Sequence, residues 1–348
     1  MAGVYFGMRP TWLASVVLLA ACSDALEQAT SAGQVVVSVN SKSSTLSLVT
    51  VDGHSVSSEN VPPVGSAPLS VAVRGSLLAA PAGDSAALDI FDFSNGAPPA
   101  VTIRRFPGGS GASGVAFEND SIAWLANPAV GSVTRVNVRT GGATSVAVGA
   151  SPRTVVVVAG FVFVVNGTSS PSGLSWLNVL PTSGGAVPTV DSIPLTGTNA
   201  SYATLGADSL LYVVDAGSPG KADGRLSIVD PGAQMELVVV NGLGESPGPA
   251  LYHPSGRLLI ATRTNGILEV STATRTLLRG PGKGIVPTGS SGVAALAVDA
   301  AGRVYAFDRR DCTEPGALHI LSAPPDYDDV LQIAVGVCPA AAATILVP

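Results

Sequence analysis

Seven times along the chain an apolar strand runs for about six residues and then stops abruptly. These runs are VVVSVN ending at Asn40, SLLAAP at Pro81, IAWLAN at Asn127, FVFVVN at Asn166, LLYVVD at Asp215, LLIATR at Arg263 and RVYAFD at Asp308. The steps between the stops are 41, 46, 39, 49, 48 and 45 residues. A period of 40–50 residues holding several short strands is the spacing of β-propeller blades, because one four-stranded sheet cannot bury both its faces alone and must stack on copies of itself.

Each unit fills out around its stop. A second, alternating strand follows, as in Leu46–Asp52, Val133–Val138 and Leu226–Asp230. Period-2 alternation is expected to place one side of that strand against a neighbouring blade and the other against a more polar surface. Another strand precedes the stop, often led by a Ser-Pro or similar turn, as at Ser66–Val73 and Ala150–Val157. Proline is tolerated at a strand's first residue, which need not donate to the ladder. Naming the strands of a blade a to d, these are c and a around a central b, with a weaker d closing each unit. The first unit lacks strand a, since Gly33 leads straight into strand b. Val337-Cys338-Pro339 and Ala343–Val347 repeat the strand-a pattern at the other end. The expected fold is therefore all-β, a seven-bladed propeller over residues 33–348, closed by the C-terminal strand completing the first blade and so hiding its sheet edges.

Composition agrees. Gly and Pro together make 66 of 348 residues, 46% are hydrophobic and only 12% are charged, which fits many short strands joined by turns and excludes disorder. A net charge of −6 with no basic stripe argues against nucleic acid as a partner.

The N-terminus reads as a targeting signal. Arg9 precedes the ten apolar residues Trp12–Ala21, too few to cross a bilayer as a helix, which needs about 20. Leu19-Ala20-Ala21-Cys22 resembles a bacterial lipobox, which implies a signal peptide over 1–21 and a lipid on Cys22. The alternative is an ordinary signal peptide with an incidental cysteine. Lipidation would anchor the chain without spanning the membrane. Ser23 resembles the pattern of lipoproteins sent to the outer membrane, and residues 22–32 then form a lipidated, flexible tether. Export leaves Cys312 and Cys338 in an oxidising compartment, where a pair implies a disulfide; a reactive thiol pair or metal site is the alternative, although there is no CxxC motif.

The repeat resembles the YVTN-repeat (YncE-like) β-propeller family, whose Ser-Pro lead, LYVxN-type strand and LxVID-type strand correspond to Ala150-Ser151-Pro152, Leu211–Asp215 and Leu226–Asp230. The resemblance implies a fold and no catalytic residue, because family members and their lactonase-like relatives do unrelated things.

Propeller topology sorts the loops onto two faces. The b–c and d–a connections share an upper face, and the a–b and c–d turns share a lower one; binding sites gather where loops of several blades converge. His54 falls in a c–d turn, His253 in an a–b turn and His319 inside a c strand, so no two are expected to meet at a metal or a catalytic triad. The strand-b end residues Asn40, Asn127, Asn166, Asp215 and Asp308 hold equivalent ring positions, with Pro81 and Arg263 as exceptions. Their oxygens converge on the axis, where they would suit Ca²⁺, or else each bonds its own turn. The blade 7 loop Asp308-Arg309-Arg310-Asp311-Cys312-Thr313-Glu314 holds five charges in seven residues. Arg309 and Arg310 form either a fork for a carboxylate or phosphate or pairs with the acids of their own loop.

These features lead to a non-enzymatic binding or scaffold lipoprotein of the bacterial cell envelope, with an envelope protein or glycan as partner. The competing reading is a lactonase-like hydrolase using a metal or an Arg/Asp site on the upper face, with Asp215, Arg263, Asp308 and Arg309 as its residues. A redox protein with haem or quinone in the channel finds no ligand pattern here.

Overall fold

The computed structural model describes Met1 and residues 33–51, 56–61, 64–106, 111–167, 173–183, 191–290 and 292–347. Residues 2–32, which hold the rest of the signal segment, Cys22 and the tether, lie outside the described residues, as does His54. Within them the chain forms seven four-stranded antiparallel sheets, arranged as a seven-bladed β-propeller. The b strands are Gln34–Asn40, Leu77–Ala82, Ile122–Asn127, Phe161–Asn166, Leu211–Asp215, Arg257–Ala261 and Val304–Asp308, one for each apolar run.

Seven buried apolar clusters weld the ring, one for each pair of neighbouring blades. Between blades 1 and 2 lie Val37, Val39, Leu46, Leu78, Phe91 and Phe93. Val36 and Val49, on the opposite side of the same sheet, pack instead with Tyr305, Phe307 and Leu318 of blade 7. Consecutive strand residues thus feed different cores, and the b strands read as continuous apolar runs because both their faces are covered. The polar residues of the alternating strands c are buried as well: Ser47, Asp89, Thr134, Ser227 and Glu269 are set into the interfaces rather than facing solvent. Each fully buried Val, Leu or Phe contributes roughly 1.5–3 kcal/mol, spread over seven interfaces rather than one centre.

The ring closes as expected. The C-terminal strand Pro339–Leu346 pairs antiparallel with Gln34–Asn40, in register from Gln34 opposite Leu346 to Val39 opposite Ala341. It supplies strand a of blade 1 and touches strand a of both blade 7 and blade 2. Neighbouring a strands are stitched around the channel by side chains: Ser113 Oγ donates to the Arg153 carbonyl at 3.0 Å, Thr154 Oγ1 to Ser201 at 2.8 Å and Thr344 Oγ1 to Val298 at 2.7 Å. Cys312 and Cys338 form a disulfide, with Cα atoms 4.6 Å apart. It ties the blade 7 upper loop to the residue that leads the closing strand.

Candidate functional site

The strand-b end residues turn inward. Asn40, Asn127, Asn166 and Asp215 are fully buried and Asp308 nearly so, and most bond to the side chain two places beyond their ladder partner on strand c of their own blade. Asn40 Nδ2 donates to Ser47 Oγ at 3.0 Å, Asn127 Nδ2 to Thr134 Oγ1 at 2.8 Å and Asn166 Nδ2 to Asn178 Oδ1 at 2.9 Å, while Ser227 Oγ donates to Asp215 Oδ2 at 2.7 Å. These side chains are cross-strand diagonal neighbours on one sheet face, so the pairing follows from the antiparallel register.

Two ring positions shift by one residue. In blade 2 it is Ala82, paired with Ala87, rather than Pro81. There the polar partner sits on strand c as Asp89, whose carboxylate accepts the Gly65 N–H from the preceding junction. In blade 6 it is Thr262, whose hydroxyl donates to the Gly266 carbonyl at 2.8 Å and closes a shorter turn. Arg263 therefore stands one place further, exposed in that turn.

A second feature, absent from the sequence expectations, caps these pairs. Gly-x-x-Pro recurs where one blade hands over to the next, at Gly65–Pro68, Gly149–Pro152, Gly244–Pro247 and Gly336–Pro339. Its third residue is left-handed each time: Ala67, Ser151, Ser246 and Cys338 have φ of 51°, 61°, 47° and 63°. Three of these glycines donate their N–H to the polar pair of the next blade: Gly65 to Asp89, Gly149 to Asn178 Oδ1 at 2.9 Å and Gly336 to Ser47 Oγ at 3.0 Å. A methyl group at Gly197, which leads the related junction Gly197–Ala200, would collide with the Asp215 carboxyl group. The amide nitrogens of Asn127 and Asn166 and one carboxyl oxygen of Asp215 are engaged within their blades, while Asn127 Oδ1, Asn166 Oδ1 and Asp215 Oδ1 are buried with no hydrogen-bond partner among the described residues. Among the described residues no three His, Cys, Asp or Glu side chains form a group fit to hold a metal ion.

The histidines keep apart. His253 ends strand a of blade 6, with its ring between Ser255 Oγ at 2.8 Å and the Gly302 carbonyl at 2.9 Å. His319, in strand c of blade 7, meets Asp329 Oδ2 through Nδ1 at 3.0 Å.

Four of the five candidate ligand-binding residues do come together. Arg263, Asp308, Arg309 and Arg310 line an open pocket of about 140 Å³ between blades 6 and 7, with Gly292, Val293 and Ala294 as its third wall. Asp215 is not part of it. The acids of the loop serve the loop: Asp308 Oδ1 accepts the Arg310 N–H at 2.7 Å, and Asp311 Oδ1 accepts the Thr313 N–H and hydroxyl at 2.9 and 2.7 Å. Only Arg310 faces an acid, Glu314, at 4.0 Å on an exposed surface, a contact of little energetic weight. Arg263 and Arg309 form no ion pair with any described residue. The pocket is therefore cationic, which the sequence left undecided between a fork and a self-paired loop.

No protein-family model matches the chain, and no curated protein matches it by sequence. Solved structures match in shape. The hydrazine synthase of Kuenenia stuttgartiensis superposes with a TM-score of 0.62 at 14% identity, over 79% of this chain and 88% of its own. A functionally unknown protein of Desulfotomaculum acetoxidans matches with a TM-score of 0.62 at 12% identity, over 87% and 99% of the two chains. The WD40 propeller domain of Doa1 matches at 0.60 and 12% identity, over 79% and 90%. Likeness at such identities shows the fold alone.

Proposed function

We propose that this chain is a non-enzymatic binding module of the bacterial cell envelope, a YVTN-like propeller held by a lipid on Cys22 and sorted by Ser23 to the outer membrane. Its upper face contacts an envelope protein or glycan. The observation that carries the binding reading is the division of labour in the blade 6–7 pocket. Asp308, the one carboxylate lining it, accepts the Arg310 N–H of its own loop, while Arg263 and Arg309 line it with no ion pair to a described residue. Such an arrangement recognises a surface or ligand; it offers no base positioned beside a nucleophile. The lactonase-like alternative needs Asp215 and Asp308 to act together at an open site, whereas Asp215 is buried against Ser227.

Site-specific photocrosslinking in intact cells tests this reading. A photoreactive residue at the exposed upper position Glu314 is expected to form a discrete adduct, and one at Ala233 in a lower turn is not. Hydrolysis of a lactone or ester panel by the purified protein, lost on Arg309→Ala, would overturn it. Metabolic labelling with a radioactive fatty acid, abolished by Cys22→Ala, is the expected result for the anchor.

A further inference from the structure

The cationic pocket does not end at blade 7. Arg153 is the second residue of strand a in blade 4 (Pro152–Val158), at its upper end, beside Gly167 at the head of the blade's b–c loop. Its Nε is buried and donates to no acceptor among the described residues. Tyr202 stands one blade further, in strand a of blade 5 (Ala200–Leu205), 38% exposed on the channel side. Burial pushes the Tyr202 phenol up, and the Arg153 and Arg263 guanidinium charges act on it in the opposite sense. Strand a of blade 5 lies between the strands a of blades 4 and 6 and touches both, and Thr154 Oγ1, next to Arg153, donates to the carbonyl of Ser201, next to Tyr202, at 2.8 Å. Arg263 in turn shares its pocket with Arg309 of blade 7. Four successive blades contribute to one crescent around the upper channel mouth, on a chain whose net charge is −6. The one carboxylate lining the blade 6–7 pocket is that of Asp308, which is 2% exposed and already accepts the Arg310 N–H.

We infer that this crescent of Arg153, Tyr202, Arg263 and Arg309 is a binding site for an oxyanion ligand with more than one charged group, carboxylate or phosphate. The inference rests on the binding reading above and names the chemistry of its ligand. Guanidinium groups present paired N–H donors that match both oxyanions, and the phenol adds a donor between them. Positions on four blades are too widely spread for a single small ion. They suit a chain or branched ligand such as an acidic glycan with uronate or phosphate substituents. Being partly exposed, the site weakens as salt screens it, over a Debye length of about 8 Å at physiological ionic strength.

The test uses the full chain expressed with its own leader and purified in mild detergent. It is titrated calorimetrically with tripolyphosphate, citrate, oligogalacturonate and a neutral oligosaccharide, at low and physiological salt. The expected result is saturable binding of the anions and not of the neutral sugar, weakened at least tenfold by Arg263→Gln or Arg309→Gln. Arg139→Gln, on the lower face, is expected to bind as the parent does. Whether tripolyphosphate or oligogalacturonate binds more tightly separates a phosphate-bearing from a carboxylate-bearing ligand. Both arginines vary without touching a core, and their melting temperatures verify the fold. Anions that fail to bind, or bind equally to the Arg263→Gln/Arg309→Gln double variant, overturn the inference. If the Glu314 crosslink still forms in that case, the binding module stands and only its anionic ligand falls.

Discussion

Asp215 occupies the position that Asn holds in blades 1, 3 and 4, and the difference is titratable. Burial lifts its carboxyl from 3.8 to about 7, against the opposing pull of the Ser227 hydroxyl and of Arg225, and the charge of Glu236 adds to the rise. Folding therefore binds a proton here. The stability this group contributes is complete below about pH 4 and is lost as the pH rises toward 7; by linkage the loss is on the order of 4 kcal/mol. Asp215→Asn is predicted to flatten stability between pH 4 and 8 and to raise the melting temperature at pH 8. Denaturant titrations at pH 5 and pH 8 decide it, and identical pH dependence in both proteins would refute the assignment. The junction glycines make a companion prediction. Gly197→Ala and Gly149→Ala would press a methyl against the Asp215 carboxyl and the Trp176 ring, at a cost of about 1–3 kcal/mol each. Gly142→Ala, in an open turn, is expected to leave the denaturation midpoint where it is.

At the scale of strands, the structure's most consequential element is the last one. Pro339–Leu346 completes blade 1, and Cys338 at its head is bonded to Cys312. A disulfide closing a loop of 26 residues contributes roughly 3–4 kcal/mol in the loop-entropy picture. The Cys312→Ser/Cys338→Ser double variant is expected to melt at lower temperature by that equivalent, and reductant is expected to affect only the parent. Because Cys312 lies in the loop that carries Arg309, the same variant is expected to weaken anion binding. Calorimetric scans with and without reductant measure the first effect and titration the second; unchanged melting would show that pairing with strand b alone holds the closing strand. The strands were legible in the sequence for a physical reason: a b strand covered on both faces has to be apolar throughout, so Val35–Val39 and Phe161–Val165 announce themselves. Register was less so. The end of an apolar run marks the ring position at Asn40, Asn127, Asn166, Asp215 and Asp308 but lies one residue away from it in blades 2 and 6, where Ala82 and Thr262 hold the position, and the blade 2 partner had moved to Asp89 on strand c. Gly-x-x-Pro was visible as a repeat, but its role depends on a left-handed third residue and a contact one blade away. Arg153 was hidden because it reads as an ordinary strand residue after a proline, and only the fold shows its Nε buried without an acceptor among the described residues.

For the whole molecule, the ring distributes structure and function unequally. Buried polar side chains and junction glycines tie blade to blade, and the acids Asp308 and Asp311 of the blade 7 upper loop are bonded within that loop. Arg263 and Arg309 form no ion pair with a described residue, so the upper mouth carries positive charge on an acidic protein. A propeller of this kind gathers contributions from several blades without any one of them carrying chemistry.

The claim that this mouth is the working surface is tested most directly by the Glu314 crosslink in the presence of a competing anion. The account predicts a discrete adduct that disappears with excess tripolyphosphate or oligogalacturonate and is absent from the Arg263→Gln/Arg309→Gln variant. An adduct that persists in both conditions, or that forms equally well from Ala233 on the lower face, would contradict it.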